Sequence, residues 1–195
     1  MNFPLYIQTV IEQNKKHGGI YMPGSFLKVD YSDAFIYAKL NCMMRRAIHL
    51  YIPIQLSDGC YLPVIDMDEK GVDVFNPSRC DMMNDIIKKG YESIIVQSSA
   101  KSYWMILDRP CNNVESTFKC IPSELVTLND SKYMQCALYT QQLVLRAVPR
   151  NGFIPRIIYS NIINPLTKEW ETLFISWWKQ PEIEELANVQ ILDLI

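Results

Sequence analysis

The chain is poor in the residues that most often announce a chemistry. It has two histidines, His17 and His49, among 195 residues. His17 lies at a polar helix end and His49 alternates within "AIHLYIPI", so each reads as a solvated or satisfied side chain rather than a ligand or general base. Cysteines stand at 42, 60, 80, 111, 120 and 136, with no CxxC pair and no nearby histidine. That excludes ordinary zinc-ligand spacing, signals no disulfide framework, and leaves no matched base for a cysteine nucleophile. Reduced thiols in a cytoplasmic setting are the expectation. No apolar run approaches the ~20 residues of a membrane span, and "MNFPLYIQTVIEQNKKHGG" has no basic-then-apolar leader, so neither insertion nor secretion is expected. Charge of one sign is lacking too: a net −2 offers no global attraction to nucleic acid or anionic membrane. There is no internal repeat, and the eleven prolines are dispersed rather than gathered into a linker.

What is present suits a folded domain. Hydrophobic residues make up 49% and charged residues 21% of the chain, an ordinary globular balance, and the length suits a single domain with a core of its own. Residues 4–16 read as a short helix ending at Gly18 and Gly19, and "YSDAFIYAKLNCMMRR" as a second, capped by Ser32 or Asp33. "AIHLYIPIQL" and "CYLPVIDMD" are β-rich runs joined by "SDG", a hairpin-closing turn. "NPSRCDMMNDIIKKGY" has a cap at Asn76–Ser78 and a stop at Gly90. "ESIIVQSS" and "SYWMILD" are strands in succession, "SELVTLNDSKYMQCALYTQQ" is helical around its second half, and "LVLRAVP" is a strand closed by Pro149. Without a regular βαβ rhythm, the pattern predicts an α+β fold with helices on a mainly antiparallel sheet.

The motif "VIDMDEKG" ends a strand in Asp66 and Asp68. Strand alternation sends both carboxylates to one side, about 7 Å apart, where they repel unless a hard divalent cation intervenes. The plainer alternative is a strand running into a solvated acidic loop with Glu69 and Asp73. "SSAKS" places Ser98, Ser99, Lys101 and Ser102 at a turn suited to phosphate oxygens, or to an ordinary hairpin tip. Arg146 interrupts an apolar strand and must pair with a carboxylate or reach a functional surface. Lys88, Lys89, Lys101, Arg109, Lys119, Arg150 and Arg156 are candidates for a local basic patch. "FISWWK", with Trp170, reads as core first and as a partner or base-stacking surface second.

The order of these elements resembles the archaeo-eukaryotic primase superfamily, the primase-polymerases, over about residues 45–156. In that family a DxD or DxE pair on one strand is followed by an sxH motif on the next hairpin, and by a third acid ahead of an "LxR(L)P"-like strand. Asp66 and Asp68 match the pair, Ser102-Tyr103-Trp104 stands where sxH belongs, and Asp130, Arg146 and Pro149 match the third acid and its strand. The resemblance implies an RRM-like palm with an N-terminal α/β element over residues 1–195, residues 157–195 being a C-terminal extension. It implies two Mg²⁺ or Mn²⁺ ions on Asp66, Asp68 and Asp130 as metal-binding and catalytic residues. Ser98, Ser99, Lys101, Ser102, Trp104 and Arg146 become the nucleotide-binding set. The partners implied are a DNA template, nucleoside triphosphates and a helicase or other replication protein, with no membrane. Trp104 replaces the family's histidine and offers one N–H and an aromatic face but no titratable charge. The same fold without catalysis, a nucleic-acid- or nucleotide-binding accessory module, is the alternative.

Overall fold

The structure, a computed structural model, describes residues 5–9, 26–30, 33–36, 39, 48–68, 84–100 and 102–192. Two antiparallel sheets organise it. The first has the strand order β2-β1-β3-β7, from β1 (Leu5–Thr9), β2 (Phe26–Val29), β3 (Ile48–Pro53) and β7 (Val144–Arg146). The second has the order β4-β6-β5-β8, from β4 (Val64–Asp68), β5 (Ser93–Gln97), β6 (Ser102–Leu107) and β8 (Arg156–Ser160). The helices are α1 (Val114–Lys119), α2 (Ser123–Val126), α3 (Ser131–Thr140), α4 (Pro165–Trp178) and α5 (Pro181–Leu192), with shorter helical turns at 33–36 and 84–88. The α+β class expected from sequence is the class observed.

Two local expectations are corrected. Residues 5–9 form a strand, not the start of a helix: "LYIQT" is rich in aromatic and β-branched residues, and it finds partners on both sides, with Leu5 against Val29 and Tyr6 against Tyr51. The remainder of that expected helix, the expected stop at Gly18 and Gly19, and the cap at Asn76–Ser78 lie outside the described residues. The two β-rich runs flanking "SDG" begin as a hairpin but do not stay one. Gln55 bridges Tyr61, the Leu56 N–H donates to the Cys60 carbonyl at 2.8 Å, and Gly59 takes φ +90, a left-handed turn conformation that suits glycine. Beyond the Leu62 N–H to Ile54 carbonyl bond at 3.3 Å the strands part, β3 into the first sheet and β4 into the second.

Alternation along the second sheet explains how it is covered on both faces. Val64, Ile94, Val96, Trp104 and Ile106 join a core shared with Leu50, Ile52 and Leu145 of the first sheet and with Trp170, Phe174 and Trp177 of α4. The alternate residues Ile65, Met67, Ile95, Met105 and Leu107 pack against Ile86, Ile121 and Leu125. The second sheet is therefore a middle layer. Each such side chain contributes about 1.5–3 kcal/mol by leaving water.

The residues after 156 are integral to this arrangement. β8 pairs with β5 through a bulge at Ile95/Val96. The Trp170 and Trp177 indoles donate to the carbonyls of Pro53 and Ala147 at 2.9 and 2.8 Å, so α4 is bonded to the first sheet as well as packed on it. Buried Asp108 closes the same unit. Its carboxylate accepts the N–H groups of Ile163 and Asn164, both at 2.9 Å, and the Thr167 hydroxyl at 2.5 Å, anchoring the chain where it enters α4.

Candidate acidic site on the second sheet

β4 is the outer strand of the second sheet on one side, and a strand edge needs something to occupy its backbone groups. Here the segment between α2 and α3 does so. The Asn129 side chain accepts the Asp66 N–H at 2.9 Å through Oδ1 and donates to the Val64 carbonyl at 3.2 Å through Nδ2. The next residue continues the pairing, the Asp130 N–H donating to the Asp66 carbonyl at 2.8 Å. Two of the three acids expected to act together, 64 positions apart in sequence, are thus joined main chain to main chain. Asp68 closes β4 opposite Ser102; its carboxylate lies outside the described side chains. Asp130 is also the N-cap of α3, its Oδ1 accepting the Lys132 N–H at 2.8 Å, which leaves the other oxygen for a further partner.

The surroundings of Asp66 are half-buried and polar. Tyr133, one turn into α3, donates to the Val144 carbonyl at 3.3 Å. Burial, and then the neighbouring Asp66 charge, pushes its phenol well above the ordinary tyrosine value, so it stays neutral. Tyr51, opposite Arg146 in the β3–β7 pair, is raised as well, chiefly by burial and then by Cys136, with Arg146 opposing.

The expected nucleotide-binding set is drawn together, but largely on itself. Trp104 sits opposite Asp66 in the β4–β6 ladder and opposite Val96 in the β5–β6 ladder, and is 5% exposed. The Arg146 guanidinium lies 5.6 Å from the centre of its ring. Arg146 Nε donates to the Val148 carbonyl at 2.9 Å and Nη2 to the Ser98 carbonyl at 2.6 Å, so this side chain ties β7 of the first sheet to the end of β5 in the second. At the β5–β6 turn the N–H groups of Ser98 and Ser99 both point to the Ser102 carbonyl, at 2.9 and 3.3 Å. Ser98 and Ser102 are buried. Lys101 lies outside the described residues.

The candidate basic residues include several with local partners: Lys88 with Asp85 at 3.8 Å, Arg109 with the Cys120 carbonyl at 3.2 Å, and Arg156 with Gln97 at 3.0 Å. Phe174, Trp177 and Trp178 of "FISWWK", and Trp170 ahead of it, are core, the reading put first from sequence. Asn129 and Tyr133 are the residues that sequence reasoning passed over. Asp130 caps α3, but no local pattern says that the amide before it will pair with a strand 63 residues earlier.

No family model, curated protein or solved structure matches the chain. The functional reading therefore rests on the motif set of the sequence and on where these residues sit. Carboxylate oxygens are the right donors for a hard cation such as Mg²⁺ or Mn²⁺. Among the described residues, no group of three histidine, cysteine or acidic side chains is already gathered to hold one. Also among them, no helix is long and apolar enough to cross a membrane.

Proposed function

We propose that the chain is a primase-polymerase-like nucleotidyltransferase domain of a replication module, working on a DNA template and nucleoside triphosphates in the cytoplasm. The observation that supports this reading is the 2.8 Å bond from the Asp130 N–H to the Asp66 carbonyl, which puts the third acid of the motif set beside the first. Asp66, Asp68 and Asp130 are the residues to hold Mg²⁺ or Mn²⁺, which when bound would activate the attacking 3′-hydroxyl and steady the departing pyrophosphate. The chain's own part is to fix two of these acids on one strand edge through Asn129, and to keep Tyr133 neutral beside them. A helicase or other replication protein is the partner such a module would serve.

Template-dependent nucleotide incorporation with Mn²⁺ tests it, comparing the wild type with the Asp66→Ala, Asp68→Ala double variant. Metal-dependent product from the wild type and its loss in the variant is the expected result. No product from the wild type removes the enzymatic reading.

A second reading, a non-catalytic nucleic-acid- or nucleotide-binding module of the same fold, is favoured by one specific observation. The Arg146 guanidinium lies over the Trp104 ring and donates to the Val148 and Ser98 carbonyls, so two of the residues expected to meet nucleotide are engaged within the protein. It predicts strand binding that weakens with salt and survives Asp66→Ala.

A further inference from the structure

Cys111 and Cys120 flank α1, and their sulfurs stand 3.3 Å apart, both as free thiols. A disulfide bond is roughly 2.0 Å long, so bonding requires the sulfurs to close by about 1.3 Å, a side-chain adjustment. Both backbones are held in place. Cys111 exchanges main-chain bonds with Tyr61, at 2.7 and 2.8 Å, while Cys120 caps α1 by donating to the Ser116 and Thr117 carbonyls at 3.1 and 3.2 Å. Cys111 is 6% exposed and Cys120 is half-buried, so Cys120 is the more accessible residue of the pair.

We infer that Cys111 and Cys120 form a reversible dithiol–disulfide site, oxidised by hydroperoxides. The sulfur of the more accessible Cys120, as thiolate, attacks a peroxide oxygen; an S–O bond forms, the O–O bond breaks, and the leaving oxygen takes up the proton that Cys120 released. The Cys111 sulfur then attacks the sulfenic acid, the S–S bond forms, and hydroxide leaves with the Cys111 proton as water. Two thiols lose two electrons and two protons, and the peroxide receives both. Burial, and then the hydrogen bond to Cys120, pushes the Cys111 thiol up to about 12, consistent with Cys120 reacting first.

The position gives the bond a consequence. Cys111 is bonded to Tyr61, just ahead of β4, and Cys120 begins the segment that ends at Asn129 and Asp130. Oxidation thus fastens together the two stretches that meet at Asp66. The inference does not depend on the proposed function.

Peptide mapping tests it directly. Trypsin cuts after Lys101, Lys119 and Lys132 and is blocked at Arg109 by Pro110, so residues 102–119 and 120–132 leave as separate peptides. Folded wild type is treated with hydrogen peroxide, its remaining thiols are capped, and the digest is read with and without dithiothreitol. The expected result is these two peptides joined, released by dithiothreitol, with a raised melting midpoint before reduction because the unfolded chain is constrained. Cys120→Ser should abolish the link while retaining the native circular dichroism. Absence of the joined pair in folded, peroxide-treated wild type overturns the site. So does a pair joining 102–119 to the Cys60 peptide, residues 47–70, since Cys60 is the neighbouring competitor.

Discussion

Arg146 shows how one residue carries two meanings that only coordinates separate. A charged side chain in "LVLRAVP" had to be satisfied somehow, and that much follows from the cost of burying it bare. The satisfaction turns out to be two carbonyls and an indole face, which bind the sheets to each other. Arg146→Met should therefore cost about 2–4 kcal/mol, since buried carbonyls lose charged donors. Chemical denaturation checks this, and unchanged stability would return Arg146 to a purely ligand-facing role. Glu124 offers a pH prediction at the same scale. The hydrogen bond it accepts from the Tyr91 hydroxyl holds its carboxyl below the usual glutamate value. A depressed folded-state value means the contribution is present above the unfolded value of about 4.3 and is lost as pH falls through the folded one. Tyr91→Phe should flatten that acid-side loss of stability in a series of thermal melts, and an unchanged slope would contradict the coupling.

At the scale of elements, β3 to β7 and α3 were legible because period and punctuation are local. Short apolar runs rich in β-branched and aromatic residues marked β5 and β6, and Gly90, at φ +71, marked the stop after the helical turn at 84–88. What failed was local too, but decided from afar. "LYIQT" is a strand because two partners accept it, and the "SDG" hairpin opens because each arm has a better sheet to join. The docking of the α2–α3 connection on β4 was invisible for the same reason. Asn129→Ala should remove its two side-chain bonds to β4, cost about 1–3 kcal/mol, and speed hydrogen exchange at the Asp66 and Asp130 amides. Native-state exchange measures it; unaltered protection at both amides would mean that Asn129 does not hold the edge.

For the whole molecule, composition indicated a core and the order of elements an α+β class, but neither showed that the core would divide around a second sheet buried on both faces. Nor did the spacing of motifs reveal that residues beyond 156 complete the fold. β8 and α4 supply a strand and three of the largest buried side chains. Trp170→Phe keeps most of that volume but strips the donor from the Pro53 carbonyl. It should lower stability by about 1–3 kcal/mol, as judged by urea unfolding, and a neutral outcome would show the carbonyl to be otherwise satisfied. The candidate site was legible as a set of acids and illegible as a place, because spacing along the chain carries no distance between β4 and α3. The measurement that bears most directly on it is anomalous diffraction from a crystal soaked in Mn²⁺. The account predicts metal density bounded by carboxylate oxygens of Asp66, Asp68 and Asp130; carboxylates turned away from one another, with no metal between them, would contradict it.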